Sequence, residues 1–354
     1  MRILIAGDWH SELHEEPIFK AFQELGHSAC RFEWFKYFKS GSKTSIFKKY
    51  LLKAQNKYMF GPVNNKLNKD LIKKCVQSNY DLLFIYRGSH IYKKTLNHIH
   101  KKSPKTKIIG YNNDDPFSNK YPKWMWRHYL DCLPYYDLVL AYRTRNLAQL
   151  RSHGAKNVNL LRSWFIPEKN FPITLTEKEN ETYSCDVVFI GHYENDGRLE
   201  SLEQIVKAGF SLKLYGHGYG WNKPLLNSSI KYLAPVSNLW GADYNKALNG
   251  AKIALCFLSK LNMDTYTRRC FEIPASETLL LSEYSSDLEA IFEPDVEAVY
   301  FQNNQELIKK LTFYLSNSNE RGKIAKSGYE KVWSGHHDVY SRAQQIIALS
   351  NSII

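Results

Sequence analysis

The chain has 354 residues, which is enough for two domains that each bury a core. It is 44% hydrophobic and 23% charged, as globular proteins are, and no apolar run approaches the roughly 20 residues that a membrane span requires. The net charge of +13 is uneven: residues 1–163 carry 29 Lys and Arg against 12 Asp and Glu (+17), and residues 164–354 carry 19 against 23 (−4). A basic half suits nucleic acid, anionic lipid or acidic glycans, and composition does not choose between them.

The first residues and the cysteines bear on location. Met1 leads directly into the strand-like segment Arg2–Ala6 and not into a signal peptide, so we expect the chain to stay in the cytoplasm. The six cysteines are scattered without Cys-x-x-Cys spacing, which disfavours both a zinc site and a disulfide framework. We therefore expect buried, reduced thiols.

The first half alternates strands with helices. A buried strand over Arg2–Ala6 ends in the loop Gly7-Asp-Trp-His10, and an amphipathic helix follows over Pro17–Leu25 and is closed by Gly26. Such alternation predicts a parallel sheet with helices on both faces. Further strands are predicted at residues 28–34, 82–86, 107–111 and 138–142, with a sixth at 158–161.

Residues 34–60 contain a basic amphipathic helix. Together with the aromatic residues at 34–38, its pattern is compatible with docking on an anionic membrane surface. The alternative is a helix that packs its apolar stripe on the domain core and leaves its lysines in water. The apolar residues recur at intervals of three and four, with lysines between them: Ile46, Phe47, Tyr50, Leu51, Ala54 and Tyr58, and Lys48, Lys49, Lys53 and Lys57.

The alternation stops near residue 163 and then restarts, which marks a domain boundary. We predict an N-terminal domain over 1–163, a linker over 164–184 that holds two prolines and a polar run, and a second α/β domain over 185–335. A final helix within 336–354 is expected to pack back on the first domain. The second half is predicted to hold strands at 186–190, 212–215, 230–233, 252–257, 279–282 and 298–301, and helices at 199–208 and 239–249.

Two adjacent arginines and a glutamate stand just before the strand predicted at 279–282. A helix that opens near Thr267 places Arg268 and Arg269 in its first turn and Glu272 one turn later. Arginines and the free amides of a first helical turn hold phosphates, and a nearby carboxylate holds sugar hydroxyls. The segment suits a nucleotide diphosphate, and a solvated helix face with an ion pair is the alternative for the same pattern.

The strand predicted at 186–190 runs into a loop that suits an anion. Gly191 lets a phosphate approach the backbone closely, and His192 and Arg198 flank it as hydrogen-bond donors. We therefore predict that these three residues contact the phosphates of a donor.

A second glycine cluster, Tyr215-Gly-His-Gly-Tyr-Gly-Trp221, follows the next strand. It departs from the dinucleotide-binding fingerprint, because its third glycine is misplaced and Pro224 interrupts the point where the helix should begin. We interpret Tyr215 and Gly216 as part of a tight turn beneath a bound ligand.

In the first half, the run Gly110-Tyr-Asn-Asn-Asp-Asp-Pro116 ends a strand with two carboxylates. The adjacent acids lack the spacing that presents two carboxylates to one cation, so we expect no metal site. Asp114 or Asp115 is predicted to act as a base or to accept a hydrogen bond from a sugar hydroxyl, and His10, after the first strand, is a comparable candidate. For Asp115 and Pro116, the alternative is a capped turn.

Signatures of several other protein classes are absent from the sequence. There is no Gly-x-Ser-x-Gly elbow, no Walker phosphate loop, and no His-Glu-x-x-His or spaced Cys/His set, so hydrolase, P-loop and zinc-enzyme functions are disfavoured. No nucleic-acid-binding motif accompanies the basic half. We therefore expect no nucleic-acid partner, and a nucleic-acid-binding protein is the weaker alternative.

Two tandem Rossmann-like halves, with a phosphate and ribose motif in the second, resemble a glycosyltransferase of the GT-B fold, in which two domains face each other across a cleft. More narrowly, Tyr266–Ala275, Leu279–Glu283 and Asp287–Glu293 look like the C-terminal domain of CgeB-type proteins, a glycosyltransferase group first associated with spore maturation. This resemblance covers roughly residues 185–345. The first half resembles GT-B acceptor domains in its general pattern.

The resemblance also assigns roles to individual residues. In the broader retaining GT-B families a glycine and arginine, with a lysine further along, hold the diphosphate; Gly191, His192 and Arg198 stand at the matching places. Glu272 matches the glutamate that holds the ribose, whereas Thr265 stands seven positions earlier where a second glutamate is expected. Asp114 sits where relatives place an acid or histidine near the donor sugar.

The function that the resemblance implies is transfer of a sugar from a nucleotide-diphosphate sugar to an acceptor hydroxyl, in bacterial surface glycan synthesis. No metal or other cofactor is expected, because arginines would stabilise the leaving diphosphate. The expected partners are the donor, a glycan or lipid-linked acceptor, and an anionic membrane surface reached through residues 34–60. Thr265 in place of a glutamate keeps one alternative open, a non-catalytic protein that binds sugar nucleotides or glycans.

Overall fold

The computed structural model describes residues 1–42 and 44–353, which form two compact units. Unit 1 comprises Met1–Arg162 and the chain from Val339 onward, and unit 2 comprises Ser163–Asp338. Each unit has a parallel sheet and its own hydrophobic core. The α/β fold class predicted from the alternation of strands and helices is confirmed.

Unit 1 is built on a parallel sheet whose central strands are continuous apolar runs. Its strands are β1 (Arg2–Gly7), β2 (Ser28–Glu33), β3 (Leu82–Tyr86), β4 (Lys107–Asn112), β5 (Leu138–Ala141) and β6 (Val158–Leu160). Their order in the sheet is β2-β1-β3-β4-β5-β6. Every residue of β3 is buried, because helices cover both faces of the sheet.

The helices of unit 1 connect these strands, as right-handed parallel crossovers require. They are α1 (Glu15–Glu24), α2 (Phe35–Phe38), α3 (Ile46–Tyr58), α4 (Pro62–Ser78), α5 (Lys93–Lys102), α6 (Arg127–Cys132) and α7 (Asn146–Ser152), with a 3₁₀ turn at Leu133–Tyr135. The start of α4 follows from its sequence: Gly61 takes a left-handed conformation, and Pro62 stands at the first helical position, where its missing N–H has no helical partner to lose.

Unit 2 repeats the design with a second parallel sheet, in the order β11-β10-β9-β7-β8. The strands are β7 (Cys185–Ile190), β8 (Leu212–Tyr215), β9 (Ala251–Cys256), β10 (Leu279–Glu283) and β11 (Val299–Phe301). The helices are α8 (Glu177–Tyr183), α9 (Arg198–Lys207), α10 (Gly218–Leu225), α11 (Gly241–Asn249), α12 (Arg269–Ala275), α13 (Ser286–Glu289), α14 (Asn304–Ser316) and α15 (Ser318–Ser334), with a 3₁₀ turn at Lys231–Leu233.

The last helix, α16 (Val339–Asn351), belongs to unit 1 and packs against α1. Its buried residues Val339, Ala343 and Ile346 recur at the helical period and form the contact face. No helix in the described part of the chain combines the length and the apolar character needed to cross a bilayer.

Three segments of unit 2 differ from the sequence-based predictions. The strand predicted at 230–233 is a 3₁₀ turn, because so short an apolar run does not distinguish a strand from a helical turn. Pro224 does not prevent a helix, since α10 begins at Gly218 and takes the proline into its last turn. The predicted linker 164–184 lies within unit 2, where Trp164 and Phe165 are buried.

Both sheets contain a point where the strand order reverses. In unit 1, β1 lies between β2 and β3; in unit 2, β7 lies between β8 and β9. In open parallel sheets, ligands collect at the carboxyl ends of the strands beside such a reversal. These two edges are therefore the places to look for a site.

Candidate functional site

A backbone surface formed by two glycine-containing loops lies at the carboxyl ends of β7 and β8. The Gly191 N–H donates to the Tyr215 carbonyl (2.9 Å), and the Trp221 indole donates to the Gly191 carbonyl (2.8 Å). A Cβ atom on Gly216 would collide with the Gly191 carbonyl, so only glycine fits where these two loops meet. The structure thus brings together Gly191, Tyr215 and Gly216, and their role in donor binding stays a prediction.

Arg269 lies directly beside this backbone surface. A Cβ atom on Gly191 would stand 3.2 Å from the Arg269 Nη2 atom. The Arg269 Nε atom is buried without a hydrogen-bond partner, and within the described residues no carboxylate lies at ion-pairing distance from this guanidinium. Burial opposes its charge, but Cys256, Tyr244 and Glu272 raise the pKa of Arg269. The result is a charged guanidinium that is attracted to Glu272 but makes no direct ion pair with a carboxylate in the described part of the chain.

In the first turn of α12, several backbone amides donate hydrogen bonds to carbonyls of the same segment. The amides of Cys270 and Phe271 donate to the carbonyls of Thr267 (3.1 Å) and Arg268 (2.8 Å), and the Glu272 amide also donates to Arg268 (3.1 Å). Three of the amides that the sequence left free for an anion, those of Cys270, Phe271 and Glu272, are therefore already bonded. The Arg268 guanidinium lies over the Trp164 ring, 5.6 Å from its centroid, so the two adjacent arginines have different surroundings.

Glu272 is a fixed carboxylate one turn after Arg269. Its side chain is 5% exposed, and its Oε2 atom accepts a hydrogen bond from the Tyr244 hydroxyl on α11 (2.7 Å). Burial, and then the negative charge of Glu272, hold the pKa of Tyr244 well above its ordinary value. Tyr244 therefore remains a neutral donor that orients Glu272.

Arg198 is buried, and its guanidinium contacts other groups of the protein. Its side chain is 3% exposed and makes a bidentate ion pair with Asp196, with Nε–Oδ1 at 2.8 Å and Nη2–Oδ2 at 2.7 Å. Its Nη1 atom donates to the His192 carbonyl (2.6 Å). The sequence predicts Arg198 as a phosphate contact, whereas the structure shows it holding the Gly191–Gly197 loop.

Glu194 joins the loop after β7 to the loop after β9. Its carboxylate bonds the half-exposed His192 ring (2.8 Å) and accepts from the backbone amides of Lys260 (3.1 Å) and Leu261 (3.2 Å). Although burial opposes ionisation, the His192 hydrogen bond and the Arg198 charge are among the contacts that lower the pKa of Glu194 to about 2. Glu194 is thus ionised throughout the physiological range and fixes both loops.

We expect Glu194→Gln to lower the free energy of unfolding at neutral pH by on the order of 2–3 kcal/mol. A pKa below the ordinary 4.5 means that this stabilisation is present above pH 4.5 and is lost as the pH falls toward 2. In urea unfolding, the difference in the free energy of unfolding between the native chain and the variant should therefore become smaller as the pH is lowered. Glu293→Gln, at an exposed glutamate, is the matched control. If this difference in the free energy of unfolding does not change with pH, the loss of stability comes from packing and not from the charge of Glu194.

The carboxyl edge of the unit 1 sheet gathers the other predicted residues. His10 follows β1, and its Nδ1 atom lies 2.9 Å from the Asp8 carboxylate, whose hydrogen bond raises the pKa of His10. Asp114 follows β4 and forms an ion pair with Arg87, which follows β3. Burial opposes the charge of Arg87, yet the Asp114 carboxylate raises its pKa. His10 stands half exposed, whereas Asp114 is already paired.

Asp115 has a different position from Asp114. Its side chain has no exposed surface, and its Oδ1 atom accepts from the Phe117 amide and from the Asn146 side chain, both at 3.0 Å. This is the capped turn that the sequence offered as the alternative. The structure therefore places Asp115 inside the loop, where it supports the turn.

The predicted donor residues thus divide into two groups. Gly191, Tyr215, Gly216, Arg269 and Glu272 form one cluster, while His192 lies on the adjoining loop and Arg198 and Arg268 have other contacts. Sequence reasoning missed Glu194 and Tyr244. The position of Glu194 in a loop after a strand was a weak signal, and nothing indicated Tyr244, which lies 28 positions before its partner.

The part of the chain that contains Arg269 and Glu272 matches the model of a known protein family. Residues 198–348 match the family described as glycosyl transferase-like. No curated protein matches the chain. The chain therefore carries a glycosyltransferase-like domain, and the CgeB-type assignment stays a prediction.

Solved structures resemble the whole chain at low sequence identity. Sucrose-phosphate synthase from Thermosynechococcus elongatus has a TM-score of 0.70 at 11% identity, covering 99% of this chain and 98% of that one. Anabaena HepE in complex with UDP-glucose has a TM-score of 0.68 at 13% identity, covering 99% and 100%. A Rickettsia africae glycosyltransferase has a TM-score of 0.69 at 12% identity, covering 99% and 98%. The predicted GT-B fold is confirmed.

Proposed function

We propose that the chain transfers a sugar from a nucleotide-diphosphate sugar to an acceptor hydroxyl. The observation that carries this proposal is the Arg269 guanidinium, which forms no ion pair within residues 1–42 and 44–353 and lies beside the backbone at Gly191. A partly buried charge without an ion-pair partner is unfavourable, so the site favours an anion that pairs with it. The matching glycosyl transferase-like family and the UDP-glucose bound to the HepE structure support a sugar nucleotide as that anion.

The chemistry follows from the position of the charge. In transfer, the bond from the anomeric carbon to the diphosphate oxygen breaks, a bond to the acceptor oxygen forms, and the acceptor proton leaves to a base. Negative charge grows on the leaving diphosphate, and a fixed cation stabilises it more in the transition state than in the ground state. We propose that Arg269 supplies this stabilisation and that no metal is required, so chelators should leave the rate unchanged.

Glu272 is proposed to hold the ribose of the donor. Its carboxylate is fixed by Tyr244 one helical turn from Arg269, so phosphate and ribose would be recognised by the same helix. Carboxylate oxygens accept hydrogen bonds from vicinal hydroxyls at fixed spacing. Thr265 donates to Asp287 (2.7 Å) and so has a contact of its own.

The base that receives the acceptor proton is proposed to be His10. Its hydrogen bond to Asp8 orients the ring through Nδ1 and leaves Nε2 as the atom that meets a substrate. Asp114, paired with Arg87, is then proposed to accept a hydrogen bond from a sugar hydroxyl. The acceptor is proposed to be a bacterial surface glycan or its lipid-linked precursor.

A thermal-shift screen with UDP, GDP, dTDP, CDP and CMP sugars identifies the donor, because a ligand that binds the folded protein raises its melting temperature. With that donor, we expect Glu272→Gln to weaken binding by about 10-fold in calorimetry, since one charged hydrogen-bond acceptor is lost. Tyr244→Phe, which removes only the support of Glu272, should have a smaller effect. Full affinity in Glu272→Gln would show that the ribose lies elsewhere.

A non-catalytic sugar-nucleotide or glycan-binding protein is the second candidate function. The observation that favours it is Thr265, which stands where related enzymes carry a glutamate and is tied to Asp287. Donor binding without transfer or donor hydrolysis, across a broad panel of acceptors, would support this function over the enzymatic one.

A further inference from the structure

Helix α3 (Ile46–Tyr58) presents its apolar side chains to solvent. Ile46 is 73% exposed, Phe47 is 74% exposed and Tyr50 is 68% exposed, and none of the helix residues is buried. Leu51, Tyr58 and the following Phe60 are also exposed and extend the same patch. Contiguous exposed apolar side chains of this size mark an interaction surface in a stable protein.

The opposite face of α3 explains this orientation. The Asn56 Oδ1 atom lies 2.9 Å from the His90 ring nitrogen, and the Gln55 Oε1 atom accepts from the Val63 amide (2.9 Å). At 100° per residue, Asn56 lies on the side opposite to Phe47. Polar contacts thus anchor the helix, and the core-packing alternative for its apolar stripe is wrong.

Lysines border the apolar stripe. Lys53 and Lys57 lie along one side of the stripe and Lys48 lies on the other, whereas Lys49 lies nearer the face of Asn56. The helix contains no acidic residue, and none of these four lysines pairs with a carboxylate of residues 1–42 or 44–353. The surface is therefore apolar at its centre and positively charged at its edges.

Two of the four aromatic residues before α3 do not contribute to this surface. Trp34 and Phe38 are buried in the core of unit 1, where the His90 ring packs on both. Of the predicted membrane-facing segment 34–60, in which Lys43 lies outside the described residues, we therefore keep residues 46–60. We define this patch, α3 with Phe60, as the α3 surface.

We propose that the α3 surface docks on a bilayer that contains anionic lipid, with α3 lying in the plane of the interface. Large apolar side chains would enter the boundary between headgroups and acyl chains, and the bordering lysines would meet lipid phosphates. A second copy of the chain fits less well, because a two-fold contact would bring the same lysines together. Single-stranded nucleic acid binds through stacked aromatic rings, whereas Ile46 and Leu51 at this surface are aliphatic.

This docking deepens the proposed function by naming a lipid-linked acceptor as the substrate class that the enzyme meets at the membrane, and in that respect it rests on the proposed function. The docking itself requires no turnover. Binding of the full chain to vesicles therefore tests the surface independently of sugar transfer.

The experiment is co-sedimentation of the full chain with phosphatidylcholine vesicles, with and without phosphatidylglycerol. We expect binding to the anionic vesicles that weakens with added salt. The triple variant Ile46→Ser, Phe47→Ser, Tyr50→Ser should lose at least about tenfold in partitioning. Phe313→Ser, at an exposed phenylalanine in unit 2, is the matched control and should bind as the native chain does.

The charge contribution has its own matched pair. Lys48→Gln, Lys53→Gln, Lys57→Gln should lose about tenfold or more in partitioning, because each lysine near an anionic surface adds attraction. Lys101→Gln, Lys102→Gln, Lys105→Gln makes the same change of charge elsewhere in unit 1 and should have little effect. Thermal melting of all variants, with and without donor, verifies that the fold and the donor site are intact.

Three results would overturn the proposal. One is no binding of the native chain to anionic vesicles. Another is an equal loss in the two lysine variants, which would show unspecific attraction to the basic half. The third is a dimer in sedimentation equilibrium that the serine variant dissociates, since a second copy would then cover the surface. If the chain binds anionic vesicles but transfers no sugar, the docking proposal is supported and the proposed function is rejected.

Discussion

We expect Arg269→Met to lower kcat/KM for sugar transfer by about 10³-fold, the loss found when a donor to a developing negative charge is removed from an enclosed site. The reason is local. Arg269 lies against Gly191 with its Nε atom unpartnered, and no carboxylate of the described residues neutralises it. Its charge is therefore available to a diphosphate, and the effect should fall on kcat as well as on donor affinity.

The same variant should leave folding stability unchanged or slightly higher. Arg269 is partly buried and forms no ion pair with a carboxylate of the described residues, so its removal relieves a desolvation penalty and breaks no ion pair there. Initial rates with the donor found by thermal shift, together with urea unfolding, measure both effects. Arg268→Met is the matched control, and its effect on rate should be small because Arg268 lies over Trp164. An Arg269→Met enzyme with native turnover would show that the anion site is wrongly assigned.

Much of the fold could be predicted from the sequence, because parallel strands covered on both faces are continuous apolar runs. Leu82–Tyr86 is an example, and the polar residues Asp81 and Arg87 mark its ends. The prediction failed at 230–233, where four residues were too few to reveal their period. It also could not foresee that Trp164 and Phe165 of the predicted linker would be buried in unit 2.

The site could be predicted only in part, because residue type and spacing do not determine partners. Gly191 and Arg269 follow different strands, and the sheet order brings them together as expected for ligand-binding groups. The partner of Glu272 comes from a separate helix, so no local pattern pointed to Tyr244. Helix α3 shows the same limit: its amphipathic period was visible, but the side that faces solvent was decided by the contacts of Gln55 and Asn56.

Arg198 is the residue at which the sequence and the structure make opposite predictions. As a phosphate contact, its loss would weaken donor binding and leave folding intact. In the structure, its guanidinium is enclosed between Asp196 and the His192 carbonyl, and the Asp196 side chain is only 8% exposed. Removing one partner of such a pair leaves the other charge buried and unpaired.

We therefore expect Arg198→Met to lower the free energy of unfolding by about 3–5 kcal/mol. The double variant Arg198→Met, Asp196→Asn should recover part of this loss, because the stranded carboxylate is gone, and the difference measures the coupling of the pair. Urea unfolding of the native chain, both single variants and the double variant gives the cycle, and calorimetry on the folded variants gives the donor affinity. If Arg198→Met has normal stability but binds the donor much more weakly, Arg198 contacts the donor phosphates as the sequence predicts. The opposite result is a variant of low stability whose folded fraction keeps its donor affinity. It would show that Arg198 holds the Gly191–Gly197 loop and that, of the two arginines, Arg269 contacts the diphosphate.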